Sequence, residues 1–215
     1  MGVSRFTRKI TEAVRHKNAE HASLALRHLA TTLSEASPAR ILDLGAACSS
    51  NIKYYSKIAR KFHFEDLSAA LASKRDSEGS VLDEALSLRS NQRFDLIFCW
   101  DILNYLSPQE IERLGSTLAA HSHCETKLFL LLPVGREISG APLRFKMADD
   151  YRLEYEPQVG ARMQSPRYNK TDLKKLWPGF ERQKSFLLKN GFEEHIYRCA
   201  KQAEESHEPS KSSAA

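Results

Sequence analysis

Ile41-Leu42-Asp43-Leu44-Gly45-Ala46-Ala47-Cys48-Ser49-Ser50 is the stretch on which the fold turns. With Arg40 in front, its first part is a short apolar run that reads as a strand to Leu44, and its second part is a tight turn of small residues. From Asn51 onward Ile52, Tyr55 and Ile58 recur at helical spacing, so the unit is strand, turn, helix. Upstream, Ala22, Leu26, Leu29 and Leu33 mark one face of an amphipathic helix over residues 19–34. Ser37-Pro38 ends it, because the residue before a proline is biased away from helical angles.

Downstream the same alternation repeats. A second strand is expected at Lys61 to Glu65, followed after Asp66 by a helix from Leu67 to Lys74. Phe94 to Trp100 is an almost unbroken apolar run, the pattern of a central strand covered on both faces. Ser107-Pro108-Gln109-Glu110 offers an N-cap serine, a proline in the first turn and a capping-box glutamate, opening a helix whose apolar face is Ile111, Leu114 and Leu118. Lys127 to Pro133 is a further buried strand, and strands alternating with helices give a parallel, doubly wound sheet with right-handed crossovers. A short helix is expected at Thr171 to Trp177. Runs at Phe180 to Leu188 and Phe192 to Ala200 flank Asn190-Gly191, a strong hairpin signal. The expected organisation is a helical extension at 1–37, one α/β domain at 38–201 and a polar, aperiodic tail at 202–215, expected to be disordered.

The 215 residues carry 41% hydrophobic and 27% charged side chains, a globular composition with room for one well-filled core. No apolar run approaches a membrane span, and MGVSRFTRKI lacks the apolar segment of a secretory signal, so a cytoplasmic protein is expected. Cys48, Cys99, Cys124 and Cys199 form no C-x-x-C pair, and His121-x-His123 stands alone, so no metal site is expected. The net charge of +5 is spread along the chain and names no partner; nucleic acid is the lesser expectation and a small molecule the greater.

The acid, glycine and small residues of Asp43-Leu44-Gly45-Ala46-Ala47-Cys48-Ser49 resemble the cofactor motif of the class I, Rossmann-like S-adenosylmethionine-dependent methyltransferases. Glu65-Asp66-Leu67-Ser68 resembles the acidic tip of that family's second strand, Arg93 to Ile97 its fourth-strand motif, and the Asn190-Gly191 hairpin its closing antiparallel pair. The resemblance covers residues 38 to 200. It implies a Rossmann-like, mostly parallel sheet with a C-terminal antiparallel hairpin, S-adenosylmethionine as cofactor, and methyl transfer to an acceptor. It further implies that Asp43, Gly45, Ala46, Ala47 and Ser49 hold the methionine end, that Asp66 or its competitor Glu65 holds the ribose, and that Trp100 to Leu103 line the cleft, with Trp100 stacking on adenine or belonging to the core. Asp101 is the candidate base.

Two departures bear on activity. Ala47 and Ser49 replace the second and third glycines, so methyl transfer requires that their side chains leave the cleft open. Only 27 residues separate Asp66 from Phe94, which is short for two helices and the third strand; that strand is expected to be missing, with Asp83 and Glu84 as substitutes for its acid. Residues 134–170 are long for a connection and are expected to cover a substrate. Tyr151, Leu153 and Tyr155 alternate there with polar residues as in a strand, and Tyr155 and Arg162 are the substrate candidates. The rival readings are a methyltransferase-like binding domain without catalysis and a nicotinamide-dependent oxidoreductase, whose G-x-G-x-x-G pattern the turn fails.

Overall fold

In the computed structural model the described residues are 19–33, 39–73, 82, 85–155, 161–168, 170–177 and 179–200. In chain order they form β1 (Ala19–Ala22), α1 (Leu24–Leu33), β2 (Ala39–Asp43), α2 (Ser49–Ile58), β3 (Ala59–Phe64), α3 (Leu67–Ser73), β4 (Phe94–Trp100), α4 (Pro108–Ala120), β5 (Ser122–Pro133), β6 (Glu137–Ser139), β7 (Phe145–Ala148), β8 (Arg152–Tyr155), β9 (Arg162–Gln164), α5 (Lys170–Leu176), β10 (Phe180–Leu187) and β11 (Phe192–Cys199). Residues 1–18, Ser37-Pro38, Asp83, Glu84 and the tail from Lys201 lie outside the described set.

The main sheet has the order β10-β11-β5-β4-β2-β3. β3, β2, β4 and β5 run parallel, while β11 is antiparallel to β5 and to β10. The order reverses between β2 and β4, so the ends of these two strands frame the crevice where open α/β sheets bind ligands. β4 is central because both of its faces are apolar: Ile97 and Cys99 pack with Leu42, Leu128 and Leu130 beneath α4 and α5, while Leu96, Phe98 and Trp100 pack with Ile41 and Phe129 beneath α1 and α2. At 0–2% exposure these side chains are fully desolvated, each contributing about 1.5–3 kcal/mol relative to exposure. α4 begins as its sequence dictates: Ser107 accepts from the Glu110 N–H, and the Glu110 carboxylate accepts from the Ser107 N–H at 2.8 Å. Gly191 supplies the positive φ of +88° that the β10–β11 turn demands.

Among the described residues no strand pairs with the outer edge of β3. Residues 74–81, 83 and 84, from which a further strand would come, lie outside the described residues.

Differences from the sequence reading lie in the short elements. Residues 19–22 are not helical but pair antiparallel with β8, which also pairs with β7 in a separate three-stranded sheet. Ser23 then starts α1: its Oγ accepts from the Leu26 N–H at 3.0 Å, and the buried Glu194 carboxylate accepts from the Ala25 N–H at 3.0 Å. On α2 the buried side chains are Asn51 and Tyr55, while Ile52 is 42% exposed. Polar contacts set the phase of this helix. The Asn51 amide donates to the Phe145 carbonyl and accepts from the Met147 N–H, tying α2 to β7.

Candidate functional site

Asp43 ends β2 and is completely buried. Its Oδ1 accepts from the Gly45 N–H at 2.8 Å and from the Trp100 indole N–H at 2.5 Å; its Oδ2 accepts from the Tyr55 hydroxyl at 2.6 Å. Burial pushes this carboxyl up to about 6 despite those donors. The acid therefore orders the turn and anchors three of its neighbours.

Ala47 and Ser49 point outward and are exposed, and no residue from Gly45 to Ser49 has a positive φ. The replaced glycines neither strain the turn nor obstruct it. What fills the crevice is aromatic. Trp100, at the end of β4 with φ of +50°, stacks on Phe98 at 5.2 Å and on Phe145 of β7 at 5.3 Å, nearly parallel. Gly45 accommodates this indole: a Cβ there would stand 2.8 Å from its Nε1 and Cδ1. Sequence periodicity carries no sign of this plug, because it depends on β7 arriving from an insertion 45 residues away from Trp100 in the chain.

Against the turn, lined by Gly45, Ala46, Ala47, Cys48 and residues 143–146, a cavity of about 70 Å³ remains. Cofactor-sized ligands occupy roughly 300–1,000 Å³. Against the turn the described residues leave too little room for a nucleoside until the Trp100 and Phe145 rings, which also border this cavity, move aside. The strap of residues 142–148 is held by Asn51 and by the Leu143 N–H, which donates to Asp101 Oδ2 at 3.1 Å.

Beyond Leu143 lies a cavity of about 400 Å³. Three residues proposed from sequence line it together: Asp101 just past β4, Tyr155 on β8 and Arg162 on β9. Asp101 is 2% exposed; its Oδ2 faces Leu143 N and the Tyr105 hydroxyl at 3.5 Å, and its Oδ1 is buried without a hydrogen-bond partner among the described residues. Burial raises this carboxyl to about 7, outweighing the hydrogen bonds that favour its charge. Tyr155 packs its ring against Phe145 and Phe192. Arg162 is exposed, its Nε 3.3 Å from the Glu137 carboxylate across the β6–β9 ribbon that borders the cavity.

At the tip of β3 the two acids divide. Glu65 is buried, accepting from Ser87 N and Oγ with His63 Nε2 2.7 Å away, while Asp66 is exposed and caps α3 by accepting from the Ala69 N–H at 2.9 Å. Asn51, Tyr55 and Leu143 are site residues that sequence reasoning missed; the signal for the first two was a helix whose polar residues, rather than Ile52, face inward. Among the described residues no group of His, Cys, Asp and Glu could hold a metal ion, all four cysteines are free, and no helix is long and apolar enough to cross a membrane.

No family model and no curated protein matches the sequence. Solved structures do match its shape. A putative type 11 methyltransferase from Sulfolobus solfataricus superposes with a TM-score of 0.50 at 13% identity, over 87% of this chain and 98% of that one. The N-methyltransferase NodS from Bradyrhizobium japonicum gives 0.46 at 13% identity, over 81% and 93%. The 1,6-didemethyltoxoflavin-N1-methyltransferase from Burkholderia thailandensis, solved with 1,6-didemethyltoxoflavin and S-adenosylhomocysteine, gives 0.47 at 15% identity, over 82% and 78%. The strand order, the acid-and-glycine turn after β2 and the antiparallel β10–β11 pair, together with the Sulfolobus superposition, identify the chain's architecture as the class I S-adenosylmethionine-dependent methyltransferase fold.

Proposed function

We propose that the chain is an S-adenosylmethionine-dependent methyltransferase for a small-molecule acceptor, described here with its cofactor crevice closed. The observation that carries this reading is the unstrained Asp43–Ser49 turn, with its altered residues facing out, next to a roomy cavity that holds Asp101, Tyr155 and Arg162. Gly45, Ala46, Ala47 and Ser49 would hold the methionine end, Asp66 the ribose, and the Trp100 and Phe145 rings would have to swing aside. Asp43 acts through the turn it orders. When bound, the cofactor supplies an activated methyl group. Asp101, poised near neutrality and with one oxygen unengaged among the described residues, is suited to take a proton from an amine or hydroxyl acceptor in the 400 Å³ cavity. Arg162 and Tyr155 would orient that acceptor.

A second reading, a binding domain of methyltransferase fold without transfer, is favoured by Asp43 having both oxygens engaged by its own chain. Isothermal titration with S-adenosylmethionine and S-adenosylhomocysteine, combined with methyl-release assays over amine and hydroxyl acceptors, separates the two. Heat with both nucleosides plus turnover that is lost in Asp101→Asn supports transfer. Heat without turnover leaves the binding domain, and silence in both the natural chain and Trp100→Ala removes the cofactor altogether.

A further inference from the structure

At the opposite end of the sheet from the methyltransferase-type crevice lies a second cavity, of about 560 Å³. Arg40 enters it from the start of β2, Lys61 and His63 from β3, and Arg89 and Arg93 from the loop leading into β4. Among the described residues no Asp or Glu lines it. Among the described residues none of Arg40, Lys61, Arg89 and Arg93 is ion-paired with a carboxylate. The nearby acids are otherwise engaged: Asp95 accepts from the Arg40 backbone N–H and faces His123 Nε2, and Glu65 faces His63 and accepts from Ser87. Arg93 Nη1 donates to the carbonyls of Ser90 and Gln92, which fixes its guanidinium on the turn. The Phe62 ring, which touches Tyr55 and Phe64, belongs to the other face of β3, since side chains alternate along the strand.

Lysines on a free edge strand often serve only to discourage edge-to-edge pairing. That explanation covers Arg60 and Lys61 on β3. It does not cover Arg40, Arg89 and Arg93, which come from other elements and converge on the same hollow. Four permanent cations concentrated in one concavity create a field for a multiply charged anion, and guanidinium groups match phosphate oxygens in pairs. We propose that this cavity binds a polyphosphate group, carried by a free anion or by the end of a nucleic-acid strand, through Arg40, Lys61, Arg89 and Arg93. The proposal is independent of the methyl-transfer reading, since it uses none of the residues around Asp43 or Asp101.

Titration of the full chain with ADP, with pyrophosphate and with a single-stranded oligonucleotide, at low and at physiological ionic strength, tests it. The double variant Lys61→Glu, Arg89→Glu should weaken ADP at least about tenfold, equivalent to 1.4 kcal/mol. The charge-matched control Lys174→Glu, Lys175→Glu on α5 should not, and thermal unfolding verifies that both variants fold. Pyrophosphate should bind about as tightly as ADP, because the cations read the phosphates alone, and Phe62→Ala should leave both unchanged. A strand that outcompetes ADP and is lost in the same double variant assigns the phosphates to nucleic acid; the reverse order assigns them to a free anion. Equal losses in the control variant, or no ADP binding, would overturn the site. ADP binding at least about tenfold more tightly than pyrophosphate would overturn recognition by the phosphates alone.

Discussion

Replacing Trp100 by alanine removes the side chain that shuts the crevice, and its cost can be worked from the contacts. The indole is 2% exposed, lies between Phe98 and Phe145, and supplies one of the two hydrogen bonds to Asp43 Oδ1. Burying so large a ring and then deleting it costs about 3–5 kcal/mol in a packed core. The lost bond to a buried carboxylate places the value in the upper part of that range. This is a substantial part of a typical domain's stability of about 5–15 kcal/mol, so urea unfolding would register it plainly. The backbone sharpens the test. At φ of +50° an L residue is strained by about 1–2 kcal/mol, a strain that alanine keeps and glycine releases. Trp100→Gly should therefore be more stable than Trp100→Ala, the reverse of the order found at most strand positions. Affinity for S-adenosylhomocysteine should rise in both variants if, as proposed above, the indole stands where the nucleoside would sit. Glycine less stable than alanine would refute the backbone argument, and a fall in affinity would show that the ring stacks on the ligand instead of excluding it.

Asp101 carries a pH dependence of definite sign. Its folded carboxyl titrates near 7 against an ordinary value of 3.8, so between these values the folded chain holds a proton that the unfolded chain has released. Its contribution is fully present below about pH 4 and is lost as pH rises to about 7, with a slope approaching 1.4 kcal/mol per pH unit. Asp101→Asn should abolish that decline, leaving the smaller one of Asp43 that ends near pH 6; urea midpoints across the range check it, and an unchanged profile would contradict the assignment. Asn51→Ala removes both ties between α2 and the strap, and should cost about 1–3 kcal/mol and accelerate hydrogen exchange at the Met147 amide ahead of the β4 core. Equal protection of Met147 in both proteins would mean that the strap is held elsewhere.

The alternation of apolar strands and helices was readable because each long element buries a continuous face of its own. Phe94 to Trp100 could only be a doubly covered strand, and Ser107 to Glu110 capped its helix through neighbours three residues apart, so no distant partner was needed. The short strands β1, β6, β7 and β9 were illegible for the opposite reason. Three or four residues do not establish a period, and they become strands only when tertiary structure supplies the opposing edge. The same division runs through the site: Asp43, Asp101, Tyr155 and Arg162 could be singled out by their places at strand ends or on the long insertion. That Asp43 would be enclosed by Tyr55 and Trp100, and that Asp66 would cap α3 while Glu65 turned inward, followed from partners 12 to 57 residues away for Asp43 and up to 22 for Glu65.

Sequence by itself determined the doubly wound order, because periodicity and capping act over a few residues and crossover handedness limits the ways to connect them. Only the tertiary structure decided whether the crevice stands open. That outcome depends on where β7 lays Phe145 against Trp100, and contacts between side chains distant in the chain leave no period in the letters.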